Sequence, residues 1–144
     1  MSKRDIMKAI KANKQRRHSM TYQENYQKWV DFAGLPDYLR QDLENMDEKT
    51  KEDAFYTNLE FGTAGMRGLI GAGTNRINIY VVRQATEGLA RLIESKGGNE
   101  KERGVAIAYD SRHFSPEFAF ESAAVLAKHG IKSYVFESLR PTPE

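Results

Sequence analysis

Apolar residues recur at helical spacing soon after residue 20. Thr21 and Glu24 have the spacing of a capping box, and the apolar row that follows ends before Gly34; this row consists of Tyr22, Tyr26, Trp29 and Ala33. Two shorter helices are predicted over 37–46 and 47–56, and the inward-facing residues of the first are Leu39, Leu43 and Met46. We expect all three helices to serve packing rather than chemistry.

The pattern changes at Asn58. A short extended segment over 59–62 runs into the glycine-rich sequence FGTAGMRGLIGAG, residues 61–73. A long helix is then predicted to begin near Ile77 and to end at Gly97. Its expected buried stripe consists of Val82, Ala85, Leu89 and Leu92.

The last third of the chain has the pattern of a βαβ unit over 104–137. VAIAYD, residues 105–110, is almost entirely apolar, which predicts a central strand covered on both faces. A helix is expected next, with Ser115 as N-cap, Pro116 at the first helical position and Gly130 after the last turn. IKSYVFE over 131–137 predicts the second strand, parallel to the first and reached by a right-handed crossover.

Composition points to one globular domain. The 144 residues are 40% hydrophobic and 29% charged, and the chain has no cysteine, which excludes disulfides and thiolate metal sites. No apolar run approaches the roughly 20 residues that a membrane span needs. We therefore expect a soluble cytoplasmic protein without a membrane partner.

The net charge of +2 hides an asymmetry. Residues 1–19 contain seven Lys or Arg and one Asp, so that this segment carries about +6 and the rest about −4. The body therefore lacks the basic character of nucleic-acid-binding domains, and we expect no nucleic-acid partner. Met20 stands where the composition changes, and we interpret 1–19 as a leader or an artificial extension, followed by a helical segment over 20–58 and an α/β domain over 59–144.

The clearest candidate chemistry lies after the predicted central strand. Asp110, Ser111 and Arg112 follow its carboxyl end and precede a helix N-terminus, where ligands of open α/β sheets bind. Helix amides and the Arg112 guanidinium would together suit an oxyanion. An Asp110–Arg112 interaction that only holds the loop together explains the same residues, and the two readings stay open.

The glycine-rich stretch poses the same choice. Five glycines surround Arg67, and they allow either a loop whose amides meet a ligand or ordinary tight turns. The stretch lacks the Gly-Lys-Ser/Thr of a Walker loop and the third glycine of a dinucleotide fingerprint. The three histidines lack the spacing of a zinc site, and His129 is expected to be a surface residue favoured by a helix C-terminus.

Three sequences in this order resemble the alpha-D-phosphohexomutase family: FGTAGMRG (61–68), AIAYDSRHFS (106–115) and RPTPE (140–144). More narrowly, the chain is similar to the N-terminal domain of a bacterial phosphoglucomutase or phosphomannomutase. The resemblance implies domain I of that family over 59–144, a three-layer α/β domain with a mixed β-sheet between helices, preceded by N-terminal helices.

The resemblance also implies a function. Members of the family interconvert hexose 1-phosphate and hexose 6-phosphate through a phosphoserine and a bisphosphorylated sugar, with Mg²⁺ and hexose 1,6-bisphosphate as cofactors. The family pattern assigns substrate and phosphate binding to Thr63, Gly65 and Arg67. It assigns support of the phosphoserine loop to Asp110 and Arg112.

The chain departs from the family at one decisive point. The T-A-S-H-N-P motif that holds the phosphoserine does not occur in the 144 residues, nor do the family's magnesium aspartates. The resemblance places the phosphoserine beyond Glu144, the last residue of the sequence. We therefore expect no catalytic residue and no metal site in this chain, and no mutase activity from the chain alone.

Two further expectations follow from this departure. If the sheet continues beyond Glu144, the chain exposes sheet edges, through which we expect it to self-associate. The alternative hypothesis for its function is a non-catalytic module that binds a phosphorylated ligand or an acidic partner.

Overall fold

A computed structural model of the chain describes residues 21–62 and 65–140. The elements are, in chain order, α1 (Tyr22–Val30), α2 (Asp37–Glu44), α3 (Glu48–Phe55), β1 (Phe61–Gly62), β2 (Gly65–Met66), α4 (Ile79–Lys96), α5 (Glu100–Arg103), β3 (Val105–Ile107), α6 (Ser115–Lys128) and β4 (Ser133–Val135).

Several predictions fall on residues outside these ranges. They concern the basic segment 1–19, Thr63 of the glycine-rich stretch, and the RPTPE sequence from Pro141 to Glu144. The expected position of the phosphoserine beyond Glu144 is therefore not tested by the structure and stays a prediction.

The three predicted N-terminal helices are confirmed. The capping box is complete, because the Glu24 amide donates to Thr21 Oγ1 at 3.3 Å and the Thr21 amide donates to Glu24 Oε2 at 2.8 Å. Asp47 caps α3 by accepting the Thr50 amide at 2.8 Å. Each helix therefore begins directly after a residue that favours a helix start, either one with a capping side-chain oxygen or a proline.

These helices enclose a first core with part of the glycine-rich stretch. Phe55 is fully buried, and the rings of Tyr26 and Trp29 meet it edge-on at 5.6 and 5.7 Å. The buried members of this core are Leu35, Leu39, Leu43, Met46, Ala54, Phe55 and Ala72. Burial of each large side chain contributes about 1.5–3 kcal/mol, so this core accounts for the position of the loop at Ala72.

A second core confirms the βαβ unit and the α/β class. β3 and β4 pair in parallel, with Val105 opposite Ser133 and Ile107 opposite Val135. Helices α4 and α6 pack against each other and on one face of this pair, around Ala90, Leu126 and Ile131.

The prediction that the first strand is covered on both faces is wrong for the described residues. There β3 pairs with β4 alone, and the opposed residues Ala106 and Tyr134 are exposed, Tyr134 by 56%. Side chains alternate along a strand, so only Val105 and Ile107 reach the helices. The sequence of this strand is continuously apolar because alanines occupy its exposed face, where exposure of such a small side chain costs little free energy.

The predicted buried stripe of α4 is also wrong. Leu89 and Leu92 are 40% and 54% exposed, whereas the buried residues of the helix are Val81, Thr86 and Ala90. Small residues at the contact allow α6 to approach closely, and Thr86 Oγ1 lies 3.2 Å from Ser122 Oγ of α6. A shift of one residue turns a helix face by about 100°, which moves the leucines outward.

The start of α6 is shifted by one residue from its prediction. Phe114 is the N-cap residue and Ser115 the first helical residue, and no side chain caps the helix. The Ser115 hydroxyl instead accepts the Asp110 amide at 3.2 Å. Gly130 follows the last turn as predicted, with φ of 66°.

His129 joins two helices, which corrects its prediction as a surface residue. Its side chain is 19% exposed, and its ring nitrogens lie 2.9 Å from Glu87 Oε2 and 3.2 Å from Glu94 Oε2, both on α4. Hydrogen bonding to Glu87, and then to Glu94, raises the pKa of His129 above its ordinary value of 6.5.

Asn78 connects the glycine-rich stretch to α4. Its side chain is 1% exposed and uses its full hydrogen-bonding capacity. Nδ2 donates to the Gly71 and Gly73 carbonyls at 2.8 and 2.9 Å, while Oδ1 accepts the Tyr80 and Val81 amides, each at 3.1 Å. One side chain therefore closes the loop and caps the longest helix.

We expect Asn78→Ala to lower the free energy of unfolding by about 2–4 kcal/mol. Loss of the cap costs about 1 kcal/mol, and the buried loop carbonyls lose their donors at a further cost of about 1–3 kcal/mol. Chemical denaturation measures the change. Asn99→Ala is the matched control, because Asn99 precedes α5 without a side-chain cap bond; equal losses in both variants would contradict the role of Asn78.

We expect stability to fall as pH rises above about 6.5. The pKa of His129 is raised in the folded state, so its contribution is complete below the unfolded value of 6.5 and is lost as pH passes the folded value. Denaturation curves between about pH 6 and 9 should show this slope in the parent chain and a flatter one in His129→Gln. His113→Gln, which removes an exposed histidine, should keep the parent slope.

Candidate functional site

Arg67 follows a hairpin directly. Phe61 pairs with Met66 and Gly62 with Gly65 in an antiparallel register. Gly65 has φ of 94°, a conformation that residues with a Cβ rarely adopt. Arg67 is exposed, and its side chain forms no hydrogen bond or ion pair with another described residue. The hairpin therefore presents an available guanidinium.

The glycines of this stretch divide into two groups. A Cβ on Gly71 would lie 2.7 Å from Asp42 Oδ2, and one on Gly73 would lie 2.5 Å from the Ala54 carbonyl oxygen. Both have positive φ, and the Asp42 carboxylate accepts the Ala72 amide at 2.6 Å. Gly71 and Gly73 thus allow the backbone to pack on α2 and α3, which is the tight-turn reading, while only Gly62, Gly65 and Gly68 flank Arg67.

A cavity of about 250 Å³ lies beside the hairpin. Its lining consists of Asn58, Leu59, Phe61, Met66, Thr74, Val81, Gln84, Ala85 and Gly88. None of these side chains is charged, and Arg67 is not among them. This lining is therefore unsuited to a phosphate.

The turn after β3 brings Asp110 and Arg112 together. Asp110 Oδ1 accepts the Arg112 amide at 3.1 Å, and Oδ2 accepts Arg112 Nε at 2.7 Å. The hydrogen bond from the Arg112 amide, with support from the guanidinium, holds the pKa of Asp110 below its ordinary value. The Asp110 side chain is 17% exposed and that of Arg112 is 78% exposed.

This geometry agrees with the interpretation that Asp110 and Arg112 stabilise the loop. It also leaves part of the Arg112 guanidinium available to a ligand. Arg112 Nε is engaged by Asp110, but the outer nitrogens of an arginine fork are separate donors on an exposed side chain. Among the described residues, the structure pairs Asp110 with Arg112, and Arg67 takes no part in this ion pair.

The N-terminus of α6 offers less to an anion than its sequence suggested. The amides of Ser115 and Phe118 already donate to backbone carbonyls at 3.0 and 2.9 Å, and Pro116 has no N–H. At most the Glu117 amide remains in the first turn, beside its own carboxylate. Anion binding at this turn would therefore depend on Arg112 more than on the helix.

Phe114 has an unusual backbone at this turn. Within 21–62 and 65–140 it is the one non-glycine residue with positive φ, at 62°. Such a conformation costs a bulky residue on the order of 1–3 kcal/mol and is found most often at functional sites. The sequence around Phe114 contains no signal for a left-handed residue, so this conformation was not predicted.

Asn78 was missed as well, although a signal for it exists. An asparagine directly before an apolar periodic segment is a typical N-cap, and the sequence RINIYVV has that form. Its two bonds to the glycine loop reach residues five and seven positions away, and N-cap signals do not predict such contacts.

The described residues hold no group of three or more metal-ligating side chains. In the same ranges, no helix combines the length and the apolar character needed to cross a membrane.

Comparison with known proteins identifies relatives for most of the chain. Residues 58–144 match the family model described as phosphoglucomutase/phosphomannomutase, alpha/beta/alpha domain I. A phosphoglucomutase of Staphylococcus epidermidis is 38% identical over 117 residues, which cover 81% of this chain and 20% of that protein. A phosphoglucomutase of Staphylococcus aureus is 40% identical over 94 residues, covering 65% of this chain and 16% of the relative.

The chain spans about one fifth of the length of these relatives or less. No solved structure matches it. The family model covers more than half of the chain and includes both the hairpin with Arg67 and the Asp110 turn. The chain therefore belongs to the phosphoglucomutase and phosphomannomutase family and contains its α/β/α domain I.

Proposed function

We propose that this chain is the N-terminal part of a mutase that interconverts hexose 1-phosphate and hexose 6-phosphate, with glucose or mannose as the sugar. The observation that supports this most directly is the exposed guanidinium of Arg67, which has no partner among the described residues in a chain of the phosphoglucomutase family. A guanidinium is suited to a phosphoryl group because it can form two parallel charge-assisted hydrogen bonds.

In this proposal Thr63, Gly65 and Arg67 contact the transferring phosphoryl group. Gly65 lets the hairpin bend with positive φ and adds no side chain next to the ligand. Asp110 and Arg112 support the loop that carries the phosphoserine, and their ion pair keeps the turn in one conformation. Arginine then stabilises the negative charge on the phosphoryl oxygens during the transfer.

The remaining chemistry belongs to segments outside this sequence. The nucleophilic serine and the ligands of Mg²⁺ are proposed to lie beyond Glu144, together with the loop that distinguishes glucose from mannose. Mg²⁺ supplies electrostatic stabilisation to phosphoryl transfer when it is bound. Hexose 1,6-bisphosphate is proposed as the intermediate, and the cytoplasm as the location.

We expect Arg67→Ala to lower kcat of the intact enzyme by about 100-fold or more, because removal of one contact to transition-state charge costs about 3 kcal/mol. A coupled assay that follows glucose 1-phosphate to glucose 6-phosphate measures the loss. Arg67→Lys should recover part of it, because lysine keeps the charge but not the two-pronged geometry.

Arg91→Ala is the matched control for this experiment. Arg91 is 73% exposed and pairs with Glu87 one turn away on α4, so its loss should leave kcat unchanged. Full activity in Arg67→Ala would refute the proposed role of the hairpin. The 144-residue chain alone is expected to show no turnover, because covalent transfer needs the serine.

We further propose that the isolated chain self-associates through the open face of the β3–β4 pair. This face exposes Tyr134 by 56% and Phe136 by 41%, next to Ala106 and Ala108. An uncovered apolar sheet face favours association.

We expect sedimentation velocity to show dimers or larger species at high concentration. Tyr134→Glu should shift the chain toward monomer, because it places a charge on the open face. Leu92→Glu changes an equally exposed residue on α4 and should leave the distribution unaltered. A monomeric parent chain at high concentration would contradict the proposal.

A further inference from the structure

An aromatic stack connects α2 to the turn that carries Asp110. The ring of Tyr38 lies 5.1 Å from that of Phe114, with an angle of 22° between their planes. Phe114 also stacks on Phe118 at 6.0 Å and 27°. Phe114 is thus held between a residue from a distant helix and one from its own helix.

The aromatic stack includes Phe114, which is the residue with the strained backbone. Phe114 has φ of 62°, where glycine would be the favoured residue. The backbone bonds around it, from Ser115 N–H to the Arg112 carbonyl and from Phe118 N–H to the Phe114 carbonyl, need no side chain at position 114. A phenylalanine at such a position is explained if its ring is required for contact. Among the described residues, the aromatic ring that it stacks on outside its own segment is that of Tyr38.

The strained residue also determines where Arg112 lies. The turn is closed on one side by the Asp110 carboxylate, which accepts the Arg112 amide and Nε, and on the other by the Ser115 amide bonded to the Arg112 carbonyl. Phe114 lies between these anchors, so a change of its φ would rotate the Arg112 end of the turn relative to α6.

Phe118 alone does not explain the arrangement. It lies four residues from Phe114 on the same helix, so its ring moves together with α6. It therefore cannot fix the position of the turn relative to elements outside α6. Tyr38 belongs to α2, and Leu39 and Leu43 of the same helix are buried in the first core. Of these two ring stacks of Phe114, the one with Tyr38 therefore links the turn to the N-terminal helices.

We propose that Tyr38 is a positioning residue, which holds Phe114 in its left-handed conformation and thereby fixes the Asp110–Arg112 turn. The conformational part of this inference stands on the geometry alone. Its catalytic consequence rests on the proposed function, in which that turn supports the phosphoserine loop. The N-terminal helices, for which the sequence suggested only packing, thus contribute to the site.

The first test uses the 144-residue chain and the Cα and Cβ chemical shifts of Phe114, which report its backbone conformation. Tyr38→Ala should move these shifts away from left-handed values and speed amide exchange at Arg112 and Ser115 about tenfold relative to Leu126. Tyr38→Phe keeps the ring and should preserve both readouts. Tyr38→Leu serves if the alanine variant does not fold, because it keeps apolar volume without the stack.

Two further variants separate positioning from general destabilisation. Tyr26→Ala removes an aromatic ring from the first core without touching the turn, and should leave the Phe114 shifts unchanged. In a Phe114→Gly background the backbone adopts positive φ without help. Tyr38→Ala should then have no added effect on exchange at Arg112.

The second test measures the intact enzyme. Tyr38→Ala should lower kcat about tenfold with KM changed less than about twofold, and Tyr38→Phe should restore kcat. Unchanged Phe114 shifts in both Tyr38→Ala and Tyr38→Leu overturn the inference and leave the proposed function untouched. Altered shifts with normal kcat overturn the catalytic consequence, and they also contradict the role proposed for Asp110 and Arg112.

Discussion

The buried amide of Asn78 is the interaction on which the rest of this structure depends. It lies where the glycine-rich stretch becomes α4, and its four hydrogen bonds serve the loop and the helix at once. A buried polar side chain stabilises only when every bond is made, so the loop and the helix must form together. The position of α4 in turn places α6, which packs on it, and with α6 the turn that carries Asp110.

The N-terminal helices are joined to this framework by the first core, against which Ile79 and Tyr80 of α4 pack, and also by polar and aromatic contacts. Arg76, which is 7% exposed, reaches Asp53 of α3 at 2.6 Å, and Asp42 of α2 binds the Ala72 amide. The stack of Tyr38 on Phe114 is a further connection. Removal of a partner from any such contact leaves a polar group or a ring without its neighbour, which makes the contacts specific as well as stabilising.

The candidate site combines two loops of different construction. The hairpin before Arg67 leaves its guanidinium exposed, whereas the turn at Asp110 binds its own arginine internally and lowers the pKa of the carboxyl group. In the proposed function, the first would contact the migrating phosphoryl group and the second would serve as a fixed support. Loops held on a rigid scaffold are where binding residues concentrate, and the Asp110 turn is linked in this way to α2 through Tyr38 and Phe114.

Local sequence determined the helices, the capping box at Thr21, the parallel βαβ unit and the family, because caps, periodicity and motifs act between residues a few positions apart. Those short-range signals also identified Asp110 and Arg112 as neighbours. Tertiary structure alone decided which face of α4 is buried and that His129 bridges Glu87 and Glu94. It also decided that Phe114 has a left-handed backbone conformation and stacks on Tyr38. Each of these depends on how closely two distant segments approach, and that distance is set by packing across the whole fold rather than by any residue's own preference.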